Sequence, residues 1–151
     1  MKKVNIPPFV TILIIPVILV ILFLVKLVPT ETTYKTVKIG SAVIKAEIAD
    51  SLPKQLQGLM SRDSLPSDGG MIFVFQNEGY PAIWMMNMSF PIDIIWIGKD
   101  MKVNEIVGNA EPCMVNCTTY YPSEKALYVL EVNSGFAAKN KIKVGTSVSI
   151  Y

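Results

Sequence analysis

The chain's most conspicuous polar residue is Asp93, an acid inside the apolar run "WMMNMSFPIDIIWIG". A carboxylate in such a run must be paired or hydrogen-bonded, because burying a lone charge is costly. Together with Arg62, Glu47 and Asn87, it could line a pocket that holds a ligand carboxylate or a metal. The alternative is structural, since an acid beside a proline turn often accepts backbone N–H groups. We expect the structural role, with Asp93 ionised and held by backbone donors or by Arg62.

Sulfur atoms offer a second kind of chemistry. Met86 and Met88 are two residues apart, so on a strand they would point to one face. With Cys113 and Cys117 they could form a soft-ligand cluster suited to Cu(I). Methionine is also a common core filler, and two cysteines in a loop outside the membrane form a disulfide. We therefore expect a Cys113–Cys117 disulfide and no metal, and we keep the soft-metal site as an alternative.

The absence of histidine removes many catalytic designs. The chain has no histidine, which excludes Ser-His-Asp and Cys-His nucleophiles and metal sites with an imidazole ligand. Five further acids are scattered along the chain, and solvated surface is the prediction for them: Asp63, Asp68, Glu111, Glu124 and Glu131. We expect neither a catalytic residue nor a cofactor, and an enzyme remains the less favoured interpretation.

The N-terminal residues have the composition of a membrane helix. Residues 4–25 carry no charge, and 22 residues span about 33 Å as a helix, which matches a hydrocarbon layer of about 30 Å. A cleaved secretory signal is the alternative, but its apolar core would be shorter and followed by a better cleavage site. We predict a signal anchor over residues 1–28, a linker over 29–33 and a domain over 34–151.

Charge predicts the orientation of this anchor and one excluded partner. Lys2 and Lys3 precede the apolar span, which places the N-terminus in the cytoplasm and residues 34–151 outside the cell membrane. From Glu31 onward the chain has 11 basic and 12 acidic residues, a net charge of −1. A near-neutral domain lacks the basic surface that nucleic acid requires, so we expect the lipid bilayer and a small molecule or protein as partners.

The elements that must position these residues are short strands. Alternating residues around Gly40 predict a hairpin, and a short helix follows Ser51. We interpret "WMMNM" and "DIIWI" as two strands joined at "SFP", with Trp84 packed inside the domain. Short strands with one or two short helices indicate a mainly β domain, either a curved sheet or a small barrel.

Six short motifs, in order, resemble the domain of unknown function 192 family. They are "GLMSR" (Gly58–Arg62), "GGMIFVF" (Gly69–Phe75), "WMMN" (Trp84–Asn87), "PIDIIWI" (Pro91–Ile97), "YVLEV" (Tyr128–Val132) and "KVGTSV" (Lys143–Val148). The resemblance covers roughly residues 43–150. It implies a small β-rich fold of barrel type, often exported or anchored, and it implies no established activity.

These observations predict a membrane-anchored, extracytoplasmic binding or interaction domain that is not an enzyme. A Cu(I) or other soft-metal handling protein is the alternative, through Met86, Met88 and the two cysteines. A hydrolase or transferase that works without histidine is the lowest alternative. A deep polar pocket that brings Asp93, Arg62 and Glu47 together would favour this last interpretation.

Overall fold

A computed structural model of the chain describes residues 32–151, together with Pro16 and Val20. The signal anchor predicted over residues 1–28 lies, apart from Pro16 and Val20, outside these described residues. Within the described part, no helix is long and apolar enough to cross a membrane. Residues 32–151 form one compact unit.

The unit is built from nine strands and two short helices. The strands are β1 (Tyr34–Ile39), β2 (Ala42–Ala49), β3 (Gly69–Gly79), β4 (Ile83–Trp84), β5 (Ile92–Ile97), β6 (Val103–Ala110), β7 (Thr119–Tyr120), β8 (Ala126–Asn133) and β9 (Val148–Ile150). The helices are α1 (Leu52–Gln57) and α2 (Phe136–Lys139). Seven strands form one sheet in the order β6-β5-β8-β3-β2-β1-β9, and β4 pairs with β7 separately. The mainly β class predicted from the sequence is confirmed.

The large sheet curls until the start of β6 meets the segment that leads into β9. The Val103 N–H donates to Thr146 O at 3.0 Å, and the Val148 N–H donates to Met101 O at 2.8 Å. These bonds join the start of β6 to the segment that leads into β9. Pairing unsatisfied edge groups in this way removes an exposed edge. The result is a curled half-barrel, which agrees with the curved sheet that the sequence predicts.

The β1–β2 hairpin and the helix after it form as predicted. Ile39 pairs with Ala42 across the turn, and Gly40 has a φ of +57°, a conformation that glycine adopts without steric cost. Helix α1 begins after Ser51 with a proline in its first turn, and it ends at Gly58. The helix lies in the crossover between β2 and β3, which pair in parallel.

Both faces of the central strands are buried, because a second layer covers the outside of the curl. On β5, the residues Ile95 and Ile97 belong to the inner core, whereas Ile94 and Trp96 belong to the outer one. The outer core is completed by Leu59 and by residues of the segments around β4 and β7. This burial on two sides explains why "DIIWI" is an uninterrupted apolar run apart from its acid.

The interpretation of "WMMNM" as a full strand is wrong. Strand β4 stops after Trp84, and Asn87 has a φ of +56°, which breaks the alternation of a strand. Trp84 is 48% exposed, so the prediction that it packs inside the domain is also wrong. The buried indole is that of Trp96, whose Nε1–H donates to Pro81 O at 2.9 Å.

Candidate functional site

A pocket of about 200 Å³ opens on the outer face of the sheet. Its floor is formed by Glu131, Phe73 and Ile92, which project from the strands β8, β3 and β5. The end of α1 forms one wall, and Trp84 with Thr119 forms another. The other lining residues are Gln55, Leu56, Gln57, Gly58, Leu59, Met60, Ala82, Ile83 and Met88. The pocket is therefore mostly apolar, with one ionisable side chain among the described residues that line it.

That side chain, Glu131, is buried and has no hydrogen-bond partner among residues 32–151. Only 5% of Glu131 is exposed, and no hydrogen bond among residues 32–151 involves its carboxyl. Every fully buried side-chain oxygen or nitrogen in this part of the chain has a hydrogen-bond partner. The carboxyl oxygens of Glu131 have none, so they are not fully buried and must border open space. Because Glu131 lines the pocket, that space is the pocket itself.

Burial changes the proton affinity of Glu131. Desolvation raises the pKa of its carboxyl to about 8, and the positive charge of Arg62 offsets part of this rise. The carboxyl is therefore mostly protonated at neutral pH, where it can donate a hydrogen bond into the pocket. A carboxyl with a raised pKa in a cleft is the kind of group found at functional sites.

Arg62 and Glu47 lie on the same side of the sheet as Glu131. The guanidinium donates to both carboxylate oxygens of Glu47, with Nη2 at 2.8 Å from Oε2. This hydrogen bonding raises the pKa of Arg62 and keeps it charged. Glu47 pairs with Met71 on β3, and Met71 pairs with Glu131 on β8, so the two acids share one row of the sheet. The positive charge of Arg62 acts on both acids, but its side-chain hydrogen bonds are made to Glu47.

Helix α1 is fixed against the sheet by one side chain. The Gln55 amide donates to Ala49 O at 3.2 Å and to Val74 O at 3.0 Å. Gly58 then ends the helix with a φ of +50°, and a Cβ built there would lie 3.5 Å from the Phe73 ring. These contacts fix the position of the last turn of α1 relative to β3, whose Phe73 lies in the floor of the pocket.

The disulfide loop supports the opposite wall. Cys113 and Cys117 are bonded, with their Cα atoms 5.5 Å apart, so the predicted disulfide is confirmed. The Cys113 N–H donates to Met85 O at 3.0 Å, and the Asn87 N–H donates to Cys113 O at 3.1 Å. The loop therefore holds the segment between Trp84 and Met88, which both line the pocket.

Asp93 is separate from the pocket. It is 1% exposed, and it pairs on β8 with Val132, a residue of the inner core, whereas Glu131 faces outward. Its carboxylate accepts the N–H groups of Asn109 at 2.9 Å, Gly135 at 3.0 Å and Ala137 at 2.8 Å. These are backbone donors, and Arg62 is not among them. Asp93 joins β5, β6 and the turn into α2.

Of the four polar residues predicted for a site, the structure brings two together. Arg62 and Glu47 form an ion pair, Asp93 lies on the other face of the sheet, and Asn87 is exposed beside the disulfide loop. The deep polar pocket that would combine Asp93 with Arg62 and Glu47 is not formed among residues 32–151.

Sequence reasoning missed Glu131 and assigned it to solvated surface, which is wrong. The signal was present, because "YVLEV" places an acid inside an apolar strand as "PIDIIWI" does. An acid between Leu130 and Val132 in a strand that is buried on both faces cannot reach bulk solvent. Strand β8 is buried on both faces because the second layer covers its outer side. The residues of the motif do not predict that layer.

The sulfur-bearing residues do not assemble a metal site in this structure. Met86 and Cys113 are neighbours through a backbone bridge, but both cysteine sulfurs are in the disulfide. Met88 is buried in the pocket wall. Residues 32–151 hold no group of three His, Cys, Asp or Glu side chains placed to bind a metal ion.

Comparisons with known proteins agree with the resemblance. The DUF192 family model, described as "Uncharacterized ACR", matches residues 35–150. A crystal structure of a protein of unknown function from Novosphingobium aromaticivorans is 34% identical, with a TM-score of 0.69 over 78% of this chain and 84% of that one. A Sinorhizobium meliloti protein described as a proposed transcription regulator is 26% identical, with a TM-score of 0.73 over 81% and 97%. No curated protein matches the chain.

Proposed function

The chain belongs to the DUF192 family, which is uncharacterised, and from the geometry of its pocket we propose that it is a non-enzymatic binding domain. The observation that carries this proposal is the Glu131 carboxyl, which is buried, has no partner within the described residues, and opens into an apolar pocket. An unpaired buried acid destabilises a fold, so its position is best explained by a ligand that pairs with it. The ligand is a small molecule or one side chain of a protein.

The size and the lining of the pocket support a ligand of this kind. A volume of about 200 Å³ is below the range of about 300–1,000 Å³ of pockets for drug-sized molecules. Apolar walls with one convergent polar group are typical of sites that bind an apolar body and fix its orientation through one contact. Trp84 at the rim adds a large aromatic surface for such contacts.

We also propose that this domain is anchored in the cell membrane and faces outward. The uncharged residues 4–25 supply the anchor, and the leading lysines favour a cytoplasmic N-terminus. The Cys113–Cys117 disulfide supports an oxidising compartment for residues 34–151. A binding domain at this position would meet ligands or partner proteins outside the cytoplasm.

An enzyme is the second candidate, and one observation favours it. A carboxyl with a pKa of about 8 can act as a general acid near neutral pH. Among the described residues that line the pocket, however, there is no second carboxylate and no lysine, cysteine or tyrosine, and Thr119 supplies the one hydroxyl. The soft-metal alternative requires that the disulfide be reduced before Cys113 and Cys117 could supply thiolates.

A pocket-filling variant tests the binding function. Met60 and Met88 line the pocket, whereas Met101 and Met114 do not, so their labelled methyl resonances serve as reporters and internal controls. Small organic fragments added to the full chain in detergent should shift the first pair and leave the second pair unchanged. Ala82→Phe, a change at an exposed rim position, should abolish these shifts. Shifts that persist in Ala82→Phe, or fragments that move no pocket methyl, would overturn the proposal.

A further inference from the structure

We propose that the ligand group accepted by this pocket is a primary alkylammonium, with Glu131 as its counter-ion and the Trp84 ring as an aromatic face at the rim. This inference rests on the proposed binding function and deepens it by naming the chemical class. The group could come from a free alkylamine or from the side chain of a lysine, and the chemistry in the pocket is the same for both.

The charge balance around Glu131 favours a cation. Glu47 and Arg62 compensate each other through two hydrogen bonds, so the pair is neutral as a unit. Among residues 32–151, Glu131 has no hydrogen-bonded counter-ion, and its neighbours in the row, Met71 and Ile94, are apolar. A carboxylate held in such surroundings strongly attracts an opposite charge, because the local dielectric constant is low. Once Glu131 is ionised, an anionic ligand in the pocket would meet its repulsion.

The apolar walls fit a short methylene chain. Leu59, Phe73, Met88 and Ile92 are buried residues that line the way to the carboxyl. Five heavy atoms, as in n-butylammonium, need about 150 Å³ if each takes the ~30 Å³ of a water molecule. The pocket of about 200 Å³ accommodates this volume. Four methylene groups followed by an ammonium also describe the lysine side chain.

The rim supplies the second recognition element. Trp84 is half-exposed and pairs with Thr119 across the β4–β7 ladder, so both side chains border the opening. An indole face within about 6 Å attracts a cation through its quadrupole, and tryptophan does so best among the aromatic residues. We therefore assign Trp84 as the aromatic contact for the cation at the rim of the pocket.

Binding of an ammonium must depend on pH, since it requires ionised Glu131. The charged groups that face Glu131 from neighbouring elements are Arg62 and Glu47, and α1 and β7 present only the uncharged Gln55, Gln57 and Thr119. Because burial raises the pKa of Glu131 to about 8, affinity should rise about tenfold from pH 6 to pH 7 and level off above pH 8. An alkylammonium keeps its charge over this range, since such groups have a pKa near 10.4.

The test compares n-butylammonium with n-butanol on the full chain, read by the methyl resonances of Met60 and Met88. The cation should bind more tightly than the alcohol at pH 8, and only the cation should show the rise with pH. Glu131→Gln should weaken binding of the cation by about ten- to a hundredfold and remove its pH dependence. Trp84→Leu should weaken it about two- to fivefold. Glu124→Gln, at an exposed acid outside the pocket, is the matched control and should change nothing.

The outcomes separate this inference from the binding function on which it rests. If n-butanol binds as well as n-butylammonium at pH 8, or if Glu131→Gln binds the cation unchanged, the ammonium assignment is wrong and the binding pocket stands. If neither probe nor any other fragment moves the pocket methyls, both proposals fall. Binding of N-acetyl-lysine methylamide with the affinity of n-butylammonium would identify a lysine side chain as the source. Its exclusion, with n-butylammonium bound, would identify a free amine.

Discussion

The guanidinium of Arg62 donates to both carboxylate oxygens of Glu47, and on the same face of the sheet lies a second acid, Glu131, whose carboxyl makes no hydrogen bond within residues 32–151. The two acids share one row of the sheet and one nearby cation, yet only Glu47 is paired. The difference in pairing identifies Glu47 as a structural acid and Glu131 as a candidate functional one. It also makes the two acids respond differently to mutation and to pH.

The Arg62–Glu47 pair should contribute measurably to stability. Arg62→Met removes both hydrogen bonds and leaves Glu47 partly buried without a cation, so we expect a loss of about 1–3 kcal/mol in the free energy of unfolding. Denaturant melts of the single variants and of the double variant with Glu47→Gln give the coupling energy. Lys54→Met breaks an exposed pair with Asp50 and should cost less than about 1 kcal/mol. Equal losses at both pairs would contradict the prediction.

Glu131→Gln should stabilise the fold, and the gain should grow with pH. The pKa of Glu131 is raised in the folded state to about 8, so between about pH 4.5 and pH 8 the unfolded chain ionises this group while the folded chain keeps its proton. Stability is therefore lost as pH rises through that window. The variant removes the loss, which is on the order of 3 kcal/mol at pH 7 and near zero at pH 4.5.

Chemical denaturation at several pH values measures this difference directly. Glu124→Gln is the control, since that acid is exposed and should give a pH-independent difference near zero. A constant effect of Glu131→Gln across the pH range, or a destabilising one at pH 7, would count against a buried, unpartnered carboxyl.

Asp93→Asn should destabilise the domain. The carboxylate accepts three backbone N–H groups. In the asparagine variant, the side-chain NH2 group would face at least one of these N–H donors, which would reduce the free energy of unfolding by about 1–3 kcal/mol. Hydrogen exchange at the Gly135 and Ala137 amides should speed up more than exchange in the sheet. Asp63→Asn, at an exposed acid, is the comparison. If Asp93→Asn made the protein more stable, the functional interpretation would move back to Asp93.

Breaking the disulfide should alter the pocket wall and leave the sheet folded. The ring closed by Cys113 and Cys117 is small, so its loss should cost less than about 3 kcal/mol. In the double serine variant, the methyl resonance of Met88 should shift, because the loop is hydrogen-bonded to Met85 and Asn87. Thiol alkylation of wild-type protein taken from its native cells, without reductant, should label neither cysteine. Two reactive thiols would disprove the bridge.

The membrane anchor that we propose over residues 4–25 should be retained in the mature protein. Residues 4–25 form a long, uncharged stretch that is not followed by a good signal-peptidase cleavage site. Mass spectrometry of the chain extracted from membranes should find an N-terminus at Met1 or Lys2. A mature chain that begins near Thr30 would indicate a cleaved signal instead.

Elements whose causes are local could be predicted from the sequence. The β1–β2 hairpin follows from alternation and from a glycine that can adopt a positive φ, and α1 follows from its proline start and glycine end. The disulfide follows from two cysteines close together in one loop. The mainly β class follows from many short strands. Each of these depends on residues near one another in the chain, so the pattern carries the information.

Whether a polar group faces solvent, core or pocket depends on long-range packing and could not be predicted from the sequence. Asp93 and Glu131 are both acids inside apolar strands, yet within residues 32–151 the Asp93 carboxylate accepts three backbone N–H groups and the Glu131 carboxyl accepts none. That difference arises where α2 approaches β5 and where the layer of α1, β4 and β7 covers β8. Burial was likewise predicted for Trp84, but in the structure Trp84 is exposed and Trp96 is buried. Such placements depend on contacts between residues far apart in the chain, and local periodicity does not record those contacts.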